Sequence, residues 1–188
     1  MLMLLLTFAV GMSSLAFAQE ESDEPVKESA SKSKKKASKD ECPVMKAFQK
    51  HAFFSGKLNK KAQYFVFLQS AGWCGFCRQE MPMIVESYRK MKKAGVEIIL
   101  FSCDRTEDDA KNFVREFRIK FPATMKHQDG SLKVPGFTMA SGIPHATFVD
   151  GQGNVLADGQ AKIIEDWKDI IQRAKDMESA AKDGDAAE

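Results

Sequence analysis

Cysteine is scarce. The 188 residues hold four, too few for a small scaffold that replaces a core with disulfides. Excess charge is equally scarce: 28 Lys and Arg against 26 Asp and Glu leave a formal net charge of +2. That is too small to argue for a nucleic-acid surface. The three histidines, His51, His127 and His145, form no ligand spacing. Zinc normally takes four ligands, commonly in two close pairs, and only one Cys-x-x-Cys pair is present. A thiolate metal module is therefore disfavoured, and no cofactor is called for. No internal repeat is found. What remains, 44% hydrophobic and 29% charged, is ordinary for a globular domain with appendages.

The opening "MLMLLLTFAVGMSSLAFAQEE" reads as a targeting sequence. An apolar core leads to "AFA", an A-x-A type site that places cleavage after Ala18 and assigns residues 1–18 to a signal peptide. No Lys or Arg precedes the core, so only the terminal amine supplies positive charge. The alternative is an uncleaved N-terminal anchor, for which the apolar part is short, since a span needs about 20 residues. Either reading carries the chain across a membrane, to a periplasmic or other extracytoplasmic compartment where disulfides form. Residues 19–40 are rich in Ser, Lys, Glu and Ala and cannot bury enough surface to offset ordering, so they read as a flexible spacer. Its run "KSKKKASK" is either merely solvated or a contact to anionic lipid or cell-envelope polymer.

The folded unit is read as residues 41–177, with 178–188 as a frayed tail. "PVMKAFQKHAFFSG" has the spacing of a short amphipathic helix ending near Gly56. "AQYFVFLQS" and "VEIILFS" are near-continuous apolar runs of the buried, parallel-strand type. Between them Met81, Ile84, Val85, Tyr88 and Met91 line one helical face, and Gly95 can end that helix. Thr106 and Asp109 form a capping pattern before a second helix. Strand, helix, strand, helix predicts an α/β fold with right-handed crossovers. "FPATM" adds a short strand, "DGQGN" marks a hairpin, and "AKIIEDWKDIIQRAKDM" is a final helix.

The chemistry centres on "WCGFC", Trp73 to Cys77, where the first strand gives way to helix. Thiol exchange needs a thiolate, and a cysteine of pKa about 8.5 is only about 3% ionised at pH 7. Lowering that value by about two units raises the fraction to roughly three-quarters, and a helix N-terminus can do this. Cys74 should meet those free amides, which makes it the attacking thiol. Cys77, one turn on, is the resolving thiol. Gly75 and Phe76 lie between them and tune thiolate stability, and Trp73 shields one side or is a plain apolar contact. Cys42 and Cys103 admit three readings: a structural bridge worth about 4 kcal/mol for a loop of roughly sixty residues, two unpaired thiols, or a relay with the Cys74–Cys77 pair.

"WCGFC" after a buried strand, "RQEMP" in the next helix and "GIPHATFVDGQG" further on together resemble the thioredoxin superfamily. Within it the apolar leader and the "CRQEMP" helix resemble extracytoplasmic TlpA/ResA-type thiol–disulfide oxidoreductases. "SAGWCGFCRQEM" with "FSCDRTEDD" is also similar to tryparedoxin-like and nucleoredoxin-like domains. The resemblance covers about Tyr64 to Trp167 and implies a thioredoxin fold: a central mixed sheet of four to five strands flanked by helices. It implies a cis-proline at Pro144, with the backbone of Ile143 meeting a substrate peptide. It also implies that Glu80 assists the pair in place of the buried acid of cytosolic thioredoxins, whose position holds Leu68. A solvated surface glutamate is the alternative at Glu80. His145 follows Pro144, either as a cation near Cys74 or as a rim residue.

The leading function is an extracytoplasmic thiol–disulfide oxidoreductase that reduces disulfides. The resemblance implies cysteine-containing exported proteins as substrates and a membrane or periplasmic thiol electron donor. A disulfide isomerase or oxidase is the second reading. Characterised members span about 150 mV, roughly 7 kcal/mol for two electrons, and one loop residue does not place a protein on that range. A peroxidase is disfavoured, since its reactive cysteine needs no partner three residues on.

Overall fold

The computed structural model describes residues 42–126 and 132–184. The predicted signal peptide, the spacer, Glu41, His127 and the last four residues of the tail lie outside them. Five strands, β1 (Tyr64–Ser70), β2 (Val96–Ser102), β3 (Ala123–Met125), β4 (His145–Asp150) and β5 (Val155–Gln160), form one sheet in the order β3-β2-β1-β4-β5. β1, β2 and β3 are parallel, while β4 is antiparallel to both β1 and β5. The helices are α1 (Pro43–Ala47), α2 (Gly75–Lys93), α3 (Glu107–Glu116) and α4 (Trp167–Gly184), the last preceded by a 3₁₀ segment, Ala161–Asp166. This is the mixed sheet with flanking helices that the sequence predicts.

The apolar strand runs have a physical cause. All seven residues of β1 and of β2 are buried, because both faces of the sheet are covered. Alternate side chains feed two cores. Tyr64, Val66 and Leu68 join Met81, Ile84 and Met91 of α2, Phe113 of α3 and Ile170 of α4 on one face. Phe65 and Phe67 join Val44, Phe48 and Phe101 on the other, where Phe137 stacks on Phe101 at 4.1 Å between ring centroids. Leu68, fully buried, completes the first core with no acid at its position.

The helix expected to reach Gly56 stops at Ala47. Phe54 and Ser55 instead pair with Ala123 at the edge of β3, through N–H to O contacts of 3.0 and 2.9 Å. Gly56 has φ +73°, and a Cβ there would lie 2.5 Å from the Phe121 carbonyl oxygen. The glycine serves this close approach, not a helix end. α2 ends as predicted before Gly95, at φ +81°, and Thr106 caps α3 by accepting the Asp109 N–H at 3.1 Å. α4 runs past Met177 to Gly184.

A carboxyl side chain lies deep in the core. Glu97 on β2 is fully buried and accepts the Tyr88 hydroxyl at 2.6 Å and the Asn59 N–H at 2.7 Å. Burial pushes its carboxyl up, against these hydrogen bonds and the nearby Lys92 charge. Removing the Tyr88 hydroxyl leaves a buried acceptor short of a donor, which costs about 1–3 kcal/mol. Tyr88→Phe should lower the unfolding free energy read from urea titration at neutral pH by that amount; an unchanged unfolding free energy contradicts the pairing.

Candidate active site

The turn Ala71-Gly72-Trp73 carries the chain from the end of β1 into α2, and Cys74 is the helix N-cap at φ −87°, ψ 117°. Its Sγ accepts the backbone N–H of Cys77 at 3.3 Å. A sulfur thus takes the place usually held by a Ser or Asp oxygen, and it faces the positive end of a free helix amide. Cys77 lies one turn on and is fully buried, whereas Cys74 keeps 8% exposure. That difference leaves Cys74 as the thiol that can meet a partner protein. Burial, then the Cys74 contact, pushes the Cys77 thiol up to about 12; the Ser70 hydroxyl and the Ala71 backbone act the other way. Cys77 therefore keeps its proton at neutral pH.

Opposite the pair, the Ile143–Pro144 bond is cis, and the Ile143 carbonyl oxygen lies 3.7 Å from Cys74 Sγ. The segment before it is held from within the sheet. Gln69, a fully buried polar residue on β1, donates to the Thr138 carbonyl at 2.9 Å and accepts the Ala140 N–H at 3.1 Å. The register explains the convergence. Gln69 pairs with His145 on β4, and Ser70 with Ser102 on β2, so the three strand ends share one edge.

The β2 end braces the turn. Asp104 accepts the Gly72 N–H at 3.0 Å and the Ser102 hydroxyl at 2.8 Å. The Trp73 indole donates to the Cys103 carbonyl at 3.2 Å, although the ring is 65% exposed. Trp73 thus lies along the surface towards Cys103, beside exposed Gly75 and Phe76. Arg78 donates to the Gly72 carbonyl at 3.2 Å and is paired with Glu116 of α3. Ser70, Gln69, Asp104 and Arg78 were not singled out from sequence. The signal for Asp104 was present in "FSCD", since parallel pairing sets the end of β2 level with the end of β1.

Cys103 packs against Cys74 and Cys77 together with Ala71 and Ile143, and burial pushes its thiol up. Cys42 does not join them. Its thiol donates to the Gly151 carbonyl at 3.2 Å, next to Asp150, which pairs with Tyr64 at the start of β1. The two cysteines thus lie at opposite ends of a seven-residue strand, about 20 Å apart at the usual rise. A disulfide needs Cα atoms within about 7 Å, so the Cys42–Cys103 bridge is ruled out. Cys42 and Cys103 are both free thiols.

Glu80 is half-buried on α2, and one of its carboxylate oxygens is shut from solvent without a hydrogen-bond partner. Burial, then the Glu165 charge, pushes its carboxyl up, and Lys162 opposes them. His145 turns away from the thiols: its Nε2 lies 2.9 Å from Asp158 Oδ1 on β5. His51 lies against Thr124, its Nε2 2.8 Å from the hydroxyl oxygen.

The family model for AhpC/TSA proteins matches residues 39–158. The chain belongs to the AhpC/TSA family. Thiol-disulfide oxidoreductase ResA of Bacillus cereus is 39% identical over 92 residues, 48% of this chain and 51% of that protein. The chain therefore spans about half the length of this curated relative. Nucleoredoxin of Bos taurus is 37% identical over 102 residues, 52% of this chain and 23% of its own length. Both types of relative are those that "WCGFC", "RQEMP" and "FSCDRTEDD" resemble. A thioredoxin-family thiol:disulfide interchange protein from Chlorobium tepidum superposes with a TM-score of 0.51 at 23% identity, over 61% of this chain and 81% of its own. That likeness shows the fold.

Because folded Cys77 binds its proton up to about pH 12, the unfolded chain releases that proton first as pH rises from the ordinary thiol value of about 8.5. Stability of the reduced protein must fall over that window. Cys77→Ala should flatten the decline in urea midpoint between about pH 8 and pH 10; equal slopes in both proteins contradict the assignment.

Proposed function

We propose that this protein is an extracytoplasmic thiol–disulfide oxidoreductase that reduces disulfides in exported proteins through Cys74 and Cys77. The observation that carries the reading is the Cys77 N–H on Cys74 Sγ, 3.3 Å long, with the Ile143 carbonyl 3.7 Å away on the other side. The ResA and nucleoredoxin relatives support the activity, and the apolar leader supports the compartment.

Cys74 thiolate attacks one sulfur of the substrate disulfide. That bond breaks, the other substrate sulfur leaves and takes a proton, and a mixed disulfide joins Cys74 to the substrate. The backbone beside Pro144 meets the substrate strand, with exposed Trp73 and Phe76 flanking the contact. Cys77 then gives up its proton and attacks Cys74 Sγ, releasing the second substrate thiol and forming the Cys74–Cys77 disulfide. The deprotonation is the difficult step, since burial holds that proton. Glu80, one turn on with an unpartnered carboxylate oxygen, is the base we assign to it. A membrane or periplasmic thiol donor returns two electrons, and no cofactor enters.

Cys74→Ser should abolish insulin disulfide reduction. Cys77→Ser, combined with Cys103→Ala so that the neighbouring thiol does not resolve the adduct, should accumulate mixed disulfides with substrate. Glu80→Gln should slow resolution by about 10²-fold at neutral pH and remove the acid limb of the rate profile. Full activity in Cys74→Ser overturns the reading. A reduction potential near thioredoxin's, about −270 mV, supports reduction, and one near about −120 mV assigns the protein to oxidation instead.

A further inference from the structure

A cavity of about 660 Å³ opens at the end of the sheet opposite Cys74. Lys61, Arg89, Lys92, Lys93 and Lys120 line it, with Val85 and Tyr88 as an apolar floor and no carboxylate in the wall. Cations near the end of α2 are explained in part by the helix dipole, which favours Lys92 and Lys93 there. That reason does not reach Lys61, before β1, or Lys120, between α3 and β3. Arg89 lies a turn earlier. Separate elements thus crowd like charges around one concavity, which costs Coulomb energy unless an anion offsets it. Glu97 beneath the floor does not offer a free carboxylate, because its two oxygens are held by Tyr88 and Asn59. Lys92 extends over the Tyr88 ring, 5.4 Å from its centroid.

The position of the cavity identifies the anion. Gly95, in its wall, accepts the Gln63 and Tyr64 N–H groups at the start of β1. Cys42, the first described residue, bonds Gly151 at that same end. Cys42, where the described domain begins, therefore lies at the end that carries the cavity. Just before Cys42 the sequence carries the basic run "KSKKKASK", which stays on the chain whether the leader is cleaved after Ala18 or kept as an anchor. We infer that the Lys61, Arg89, Lys93 and Lys120 cavity docks on the phosphate headgroups of an anionic membrane surface, holding Cys74 on the far side of the sheet. The domain then stands with its thiols facing away from the bilayer, about 20 Å off for a strand of seven residues. The inference rests on the extracytoplasmic reading only for which membrane face is met.

The full chain should co-sediment with phosphatidylglycerol-containing vesicles and weakly with pure phosphatidylcholine, and the difference should shrink as salt rises. Arg89→Glu/Lys93→Glu/Lys120→Glu should weaken that binding by about tenfold or more while keeping the thermal midpoint. Lys168→Glu/Arg173→Glu/Lys175→Glu on α4 changes net charge equally and should retain it. Equal losses in the two variants, or wild-type binding by the first, overturn the inference. Inorganic phosphate at matched ionic strength should leave vesicle binding in place; displacement would make this a small-anion site and reject the lipid. Sedimentation is read without thiol chemistry, so failure of the reductase reading and failure of this one are separable.

Discussion

A sulfur atom occupies the cap of the longest helix packed on the sheet, and the amide of Cys77 points at it. Everything else at the site follows from that contact. The same turn of helix that offers the amide carries the second sulfur, so one short loop supplies both sulfurs and the amide donor together, and the proposed mechanism makes them attacker and resolving thiol. Burial then separates the two chemically. Cys74 keeps a small window to solvent, while Cys77 is enclosed by Ala71, Ser70 and Cys74 and keeps its proton. An exchange site needs this asymmetry, since two equally exposed thiolates would compete for the same partner.

The sheet holds the contact in place. β1 ends in Gln69 and Ser70, whose neighbours in register are His145 on β4 and Ser102 on β2. One strand end thus reaches the loop before Pro144 through Gln69 and sits level with the Asp104 brace of Gly72. Arg78 ties the first turn of α2 to Glu116 of α3. A side chain one residue out of register on β1 would release the loop or the brace, because alternate residues face opposite cores.

Local patterns were legible in the sequence, and long-range placement was not. The buried runs "YFVFLQS" and "VEIILFS", the Thr106 cap, the "DGQGN" hairpin and the cysteine pair depend on neighbours within a few residues, and each element formed where its pattern lies. The end of α1 was misread because Phe54 and Ser55 pair with Ala123, a partner far along the chain. The Cys42–Cys103 bridge failed for the same reason: Cys42 is set by Gly151, at the opposite end of the sheet from Cys103. His145 turns to Asp158 through the β4–β5 register, which composition cannot show. The basic cavity was invisible because its cations come from separate segments and converge only in the fold.

The central claim is that two sulfurs, and no others, exchange a bond. A non-reducing peptide map of the full chain, taken across a series of glutathione buffers, tests it most directly. The account predicts one disulfide, between Cys74 and Cys77, rising as a single two-electron transition while Cys42 and Cys103 stay alkylatable. A map in which those two sulfurs never join, or in which Cys103 takes the place of Cys77 at equilibrium, would contradict it.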